Sequence, residues 1–164
     1  MKTRKIAGIG MMIAVAFVLS YLESLIPINV GIPGVKLGMS NLVVIFCMFC
    51  FNPTITFLIA VIRIILCGIT FGSMSGMLYS LAGGMLSFIV MLLLKKTERF
   101  SVCGVSVAGG VFHNVGQILE AMFVLQTNLL IYYLPFLIIS GVVAGIIIGL
   151  IGTALIKRLK DIEF

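Results

Sequence analysis

The sequence predicts an all-α integral membrane protein, a single domain built as a bundle of six transmembrane helices. Three observations predict it. Of the 164 residues, 62% are hydrophobic and only 10% charged, against about 25% charged in a soluble domain, and the mean hydropathy is +1.31. Apolar runs close to the ~20 residues that a crossing helix needs recur along the whole length and leave no stretch long enough for a soluble domain. The basic residues are grouped in three short clusters beside apolar runs: Lys2, Arg4 and Lys5; Lys95, Lys96 and Arg99; Lys157, Arg158 and Lys160.

That grouping explains the formal charge of +6 by topology, because short cytoplasmic loops retain Lys and Arg. With both termini inside the cell, nine of the eleven basic residues fall on the cytoplasmic side, the exceptions being Lys36 and Arg63. Nucleic-acid binding is excluded on the same ground, since no soluble module carries a basic face.

The first span is expected over residues 6–25. A signal peptide would share its basic start and apolar core, but the run continues to Leu22 without a small-x-small cleavage site. Span two, 41–51, is short, and its start is open as far upstream as Lys36. Asn52-Pro53 makes the tight turn into span three, 54–70. Spans four, five and six follow at 76–94, 102–125 and 130–156. Cys47 and Cys50 form a C-x-x-C within an apolar helix; it supplies two metal ligands where a site needs more, and reads as packing. No metal site or cofactor is expected.

The connections between spans are unequal. "IPINVGIPGVKLGMS" is long and carries glycine and proline, whereas "FGSMS" and "QTN" are short. A long loop on a compact domain is a lid, a binding loop or a plain connector. Small residues four apart let helices approach closely in lipid. Gly10 and Ala14 do so in span one, Gly104 and Ala108 in span five, and Gly141, Gly145, Gly149 and Thr153 form a continuous stripe in span six. Such stripes serve packing within the bundle or the docking of a partner membrane subunit.

Span five holds the unusual residues. On a wheel of 100° per residue with His113 at zero, Ser106, Gly109, Gly110, Gln117 and Glu120 fall between about −40° and +60°, with Asn114 just beyond. One face is polar and small, and it points into the bundle or a cavity, where lipid is avoided. At 1.5 Å per residue, Arg63 and His113 lie about 13 and 16 Å from the cytoplasmic ends of their helices, and Glu120 and Glu23 about 25 Å. A site here opens outward. Arg63 either binds carbonyls or a glutamate within the bundle, or recognises an anionic or polar ligand with its planar fork. His113, the single histidine, reads as a hydrogen-bonded core residue, a ligand contact or part of a proton relay with Glu120.

Enzyme chemistry lacks its residues. The one aspartate is Asp161, so paired aspartates that hold magnesium on a diphosphate are missing. Neither a Ser-His-Asp set nor a nucleotide-binding glycine loop is present. The chain is not read as an enzyme, and it does not hydrolyse ATP itself.

Three segments, "GVKLGMSN", "FGSMSGMLYSLAGG" and "GGVFHNVGQ", together resemble the Gx transporter family, also described as heptaprenyl diphosphate synthase component I, over nearly the whole chain. That family is similar to the substrate-capture S components of energy-coupling factor transporters. The resemblance implies a six-helix S-component-like bundle in the plasma membrane that binds a small vitamin-like, prenyl or quinone-precursor molecule from outside. It also implies a transmembrane T component and cytoplasmic ATPase subunits as partners. On this resemblance Gly34, Lys36, Gly38 and Asn41 belong to the lid or its hinge. Phe71, Gly72, Ser73, Tyr79 and Ser80 line the outer half, His113, Asn114 and Gln117 face the ligand, and Gly10 and Ala14 meet the T component. The site residues expected are therefore Lys36, Asn41, Arg63, Phe71, Ser73, Tyr79, Ser80, His113, Asn114, Gln117 and Glu120. A non-catalytic membrane subunit serving polyprenyl diphosphate or quinone biosynthesis, or extracellular electron transfer, is the alternative.

Overall fold

Polar side chains and a proline set the helix boundaries. Asn52 caps α3 (Pro53–Thr70) through its side-chain oxygen, which accepts from the Thr54 N–H at 3.2 Å, and Pro53 follows at the first helical position, where no N–H is needed. Ser73 caps α4 (Met74–Lys96) by accepting from Gly76 N–H at 3.0 Å, and Ser101 caps α5 (Val102–Leu125) by accepting from Gly104 N–H at 3.1 Å. Gln126 closes α5 in the left-handed conformation, φ 50°. The computed structural model describes residues 2–25 and 38–159, and the regular elements among them are all helical. Besides these three they are α1 (Lys2–Leu25), α2 (Asn41–Cys50), and α6 (Leu134–Leu159), which a short 3-10 turn at Leu129–Tyr133 precedes.

Five of the six α-helices are long and apolar enough to cross a membrane. Their outward surface is apolar, with Ile69 76% and Phe123 72% exposed, which suits lipid and not water. The expected count of six spans is not confirmed among the described residues, because α2 has ten residues. At 1.5 Å per residue it is ~15 Å long, about half the ~30 Å hydrocarbon layer. Its position compensates for its length. Val43 through Met48 are all buried and none of the ten residues is exposed, as expected of a helix that is apolar all round and enclosed by others.

The opposite faces of α2 join two core clusters. Val43, Phe46 and Cys47 pack with Met12, Ala16 and Ile59 of α1 and α3. Val44, Ile45 and Met48 pack with Ala60, Phe88, Met91 and Val105 of α3, α4 and α5. Lys95, near the end of α4, donates its Nζ to the Met48 carbonyl and lies 5.3 Å from the centroid of the Phe49 ring. A cation there satisfies an orphan carbonyl and complements the negative end of the helix dipole. It also sets depth: the C-terminal end of α2 is level with the basic end of α4, so Asn41 begins the helix roughly halfway through the layer.

Helices α3 to α6 pack as antiparallel neighbours, and glycine makes the closest approaches. Between α5 and α6, a Cβ on Gly110 would meet the Gly141 carbonyl oxygen at 2.5 Å, one on Gly145 the Val107 Cα at 2.5 Å, and one on Gly149 the Cys103 Cα at 2.7 Å. The glycines of the α6 stripe therefore serve packing within the bundle, the first of the two readings that the sequence left open. Between α4 and α5, a Cβ on Gly116 would meet the Gly83 Cα at 2.7 Å. Gly10 differs: a Cβ there meets nothing within 4 Å, and Gly10 and Ala14 are both exposed on α1.

Candidate functional site

The N-terminal end of α2 opens onto a cavity enclosed by α4, α5 and α6. Gly38 and Asn41 form its side toward the α1–α2 connection, and Ile45, Met91 and Ile148 contribute apolar walls. The polar groups come from three other helices: Ser87 of α4, Ser106, His113 and Asn114 of α5, and Ser140 of α6. The space open to the centres of water molecules is about 20 Å³, room for about one or two waters. In this closed form the cavity admits a single polar group and not a whole vitamin-sized molecule.

Each polar group has a definite placement. Asn114, 5% exposed, donates Nδ2 to the Leu137 carbonyl at 2.7 Å, which ties α5 to α6 and orients its Oδ1 as the remaining acceptor. His113 is buried against α4, its ring Cε1 3.2 Å from where a Cβ on Gly83 would lie. Any side chain at residue 83 would press on this ring and on the His113 backbone, so the glycine gives the histidine its room. Gly38 has φ +78°, a left-handed conformation that side chains with a Cβ rarely take. Its N–H donates to Glu23 Oε1 of α1.

Of the residues that sequence reasoning nominated, the fold brings Asn41, His113 and Asn114 together at the cavity, with Gly38 beside them. Gln117 is buried one turn further along α5, where its Cγ packs against Gly83. Glu120, Tyr79 and Ser80 are half-buried and do not line this cavity. Phe71 ends α3 and packs its ring against Phe17 and Tyr21 of α1, with centroids 5.4 and 5.5 Å apart. Ser73 is exposed and serves as the α4 cap. Gly34 and Lys36 lie outside the described residues.

Arg63 belongs to a second polar cluster, away from the cavity lining. It is 8% exposed and donates Nη1 to Ser40, the residue before α2, and to Ser20 of α1 at 3.4 Å. Its Nε has no hydrogen-bond partner among the described residues. Glu23, 5% exposed, is near enough to act on the guanidinium charge. Arg63 and Glu23 thus hold Ser40 and Gly38, the two residues through which the chain enters α2.

Sequence reasoning missed Ser87 and Ser140. Both stand in apolar helices with no polar stripe to single them out, and only the pairing of α4 and α6 with α5 brings them to His113. Ser106 was visible on the polar face of α5 but was not nominated. Among the described residues, no group of three His, Cys, Asp or Glu is placed to hold a metal ion.

The fold and the cavity define a class: a multi-pass helical membrane protein with an enclosed polar site at mid-depth. The chain belongs to the heptaprenyl diphosphate synthase component I family, whose model matches residues 12–155. The family description is that of one component of a synthase, a subunit and not the catalytic part. No curated protein and no solved structure matches the chain.

Proposed function

We propose that the chain is an S-component-like capture subunit, which takes a small vitamin-like, prenyl or quinone-precursor molecule from outside the cell for import. The observation that carries this reading is the polar cavity at mid-depth, located where a buried half-length helix begins. Discontinuous helices that start within the membrane are the usual builders of transport sites there. The exposed Gly10 and Ala14 on α1 are the surface for a transmembrane T component, and ATPase subunits supply the energy that this chain has no residues to extract.

The test is binding and uptake. His113→Ala is expected to weaken retention of a copurified small molecule by roughly 2- to 10-fold, the value of one hydrogen bond, with the helical content unchanged. Uptake stops when the ATPase partner is inactivated, while binding by the isolated chain persists. Unchanged uptake of every tested molecule, together with lost assembly with an enzyme partner, decides for the second reading. That reading, a non-catalytic membrane subunit for polyprenyl or quinone chemistry, is favoured by the family's description.

The same proposal places the protein in the plasma membrane with both termini and the loop 95–101 in the cytoplasm. It rests on the three basic clusters. Single cysteines at residues 36 and 98, in a chain freed of its native cysteines, are expected to react with an impermeant maleimide from outside and from inside respectively. The opposite pattern refutes the arrangement.

A further inference from the structure

Hydroxyls in membrane helices ordinarily donate to a carbonyl of their own helix, which satisfies them without water. Five hydroxyls here do so. Thr56, Thr70 and Thr153 donate four residues back, to Asn52, Leu66 and Gly149, and Ser24 and Thr97 three residues back. Ser87 and Ser106 are different. They are 4% and 3% exposed, and neither hydroxyl makes a bond of this kind to its own helix or to another described residue. Both line the same cavity, one from α4 and one from α5. A hydroxyl buried at mid-membrane without a partner costs free energy comparable to a lost hydrogen bond, so the cavity's occupant supplies the partner.

The charge of that occupant follows from the lining. Among the described residues that surround the cavity there is no lysine, arginine or carboxylate. The one basic residue in the middle of a described span, Arg63, is outside the lining, and its Nη1 is engaged by Ser20 and Ser40. The one titratable side chain in the described lining is His113, so a carboxylate or phosphate placed between Ser87 and Ser106 would have no other counter-charge deep in a low-dielectric layer. A neutral group that both donates and accepts meets what is present: the hydroxyls of Ser87, Ser106 and Ser140, the His113 ring, the Asn114 Oδ1 left over from the bond to Leu137, and the amide of Asn41 at the cavity's mouth.

We propose that Ser87 and Ser106 are ligand-binding residues, and that with Asn114 and Asn41 they take an uncharged hydrogen-bonding group, an amide or a hydroxyl, at the inner end of the captured molecule. The proposal rests on the capture function and adds to it the residues and the chemical class. The space for about one or two waters is the size of such a group, and any charge on the molecule stays toward the α1–α2 connection.

The test uses the full chain in lipid nanodiscs and two isosteric probes that differ in charge, nicotinamide and nicotinate, with equilibrium dialysis as the readout. Native mass spectrometry of the same preparation identifies any molecule retained through purification. Nicotinamide is expected to bind at least roughly tenfold more tightly than nicotinate, because the acid meets no lysine or arginine in the described lining and has His113 alone as a counter-charge. Ser87→Ala combined with Ser106→Ala is expected to weaken nicotinamide, or a retained neutral molecule, by roughly tenfold or more, the worth of two hydrogen bonds. The thermal midpoint reports folding, and the single variants carry the test if the double variant does not fold. Preference for nicotinate, a retained anion, or neutral binding indifferent to both serines overturns this inference and leaves capture standing. Neither probe bound and nothing retained overturns both.

Discussion

Gly145→Val is expected to lower the stability of the bundle by about 1–3 kcal/mol or more and to abolish the cavity. The new Cβ would lie 2.5 Å from Val107 Cα, 3.0 Å from the Ser106 carbonyl oxygen and 3.1 Å from Val107 N. All three are backbone atoms, so no rotamer change relieves the overlap, and α5 and α6 have to separate. Separation also withdraws Ser106 and His113 from Ser140, since α5 carries the first two and α6 the third. Thermal unfolding of the purified chain measures the loss. Gly10→Val is the matched control, because a Cβ there meets nothing within 4 Å; it is expected to unfold like the wild type. Equal unfolding midpoints for Gly145→Val and the wild type would show that α5 and α6 do not pack through this glycine.

Arg63→Leu is expected to cost about 1–3 kcal/mol, the worth of buried hydrogen bonds lost from a charged group. Glu23 remains buried at 5% exposure, its carboxylate deprived of the guanidinium that acts on it. Ser40 and Ser20 lose the donor from Nη1. Because Gly38 is bonded to Glu23, the loss propagates to the entry of α2 and so to Asn41 at the cavity. Arg63→Lys is not expected to rescue, since one ammonium does not reproduce the planar fork. A double-mutant cycle with Glu23→Gln quantifies the coupling between the carboxylate and the guanidinium. The measurements are unfolding free energy and maleimide reactivity of Met39→Cys, expected to rise when the entry to α2 is released. Wild-type stability and reactivity in Arg63→Leu would remove the anchoring role.

Most helix boundaries were legible in the sequence because their causes are local. Asn52-Pro53 separates two helices through a bond within two residues, and the long spans follow from apolar length alone; the Ser73 and Ser101 caps are equally local but were not read from the sequence. The polar face of α5 was legible for the same reason, since residues 106 to 117 share one helix and their angular positions are determined by its pitch. Their neighbours were not legible. Whether Arg63 faces a ligand or Ser20 and Ser40 depends on how α3 is rotated against α1, and no residue of α3 states that angle.

The sequence by itself determined that this is a membrane protein of long apolar helices with one polar helix face, because hydropathy and capping act over a few residues. Tertiary structure alone decided that α2 is a buried half-length helix beginning at mid-depth, since ten apolar residues are equally consistent with a frayed span or a core helix until their neighbours are placed. It decided too that the α6 glycines face α5 instead of a partner, and that Ser87, Ser106 and Ser140 converge from three helices on one cavity. The physical reason is common to all of these. Convergence is set by helix pairing and axial rotation, which arise from backbone approach at glycines far apart in the chain, and no local periodicity carries that information.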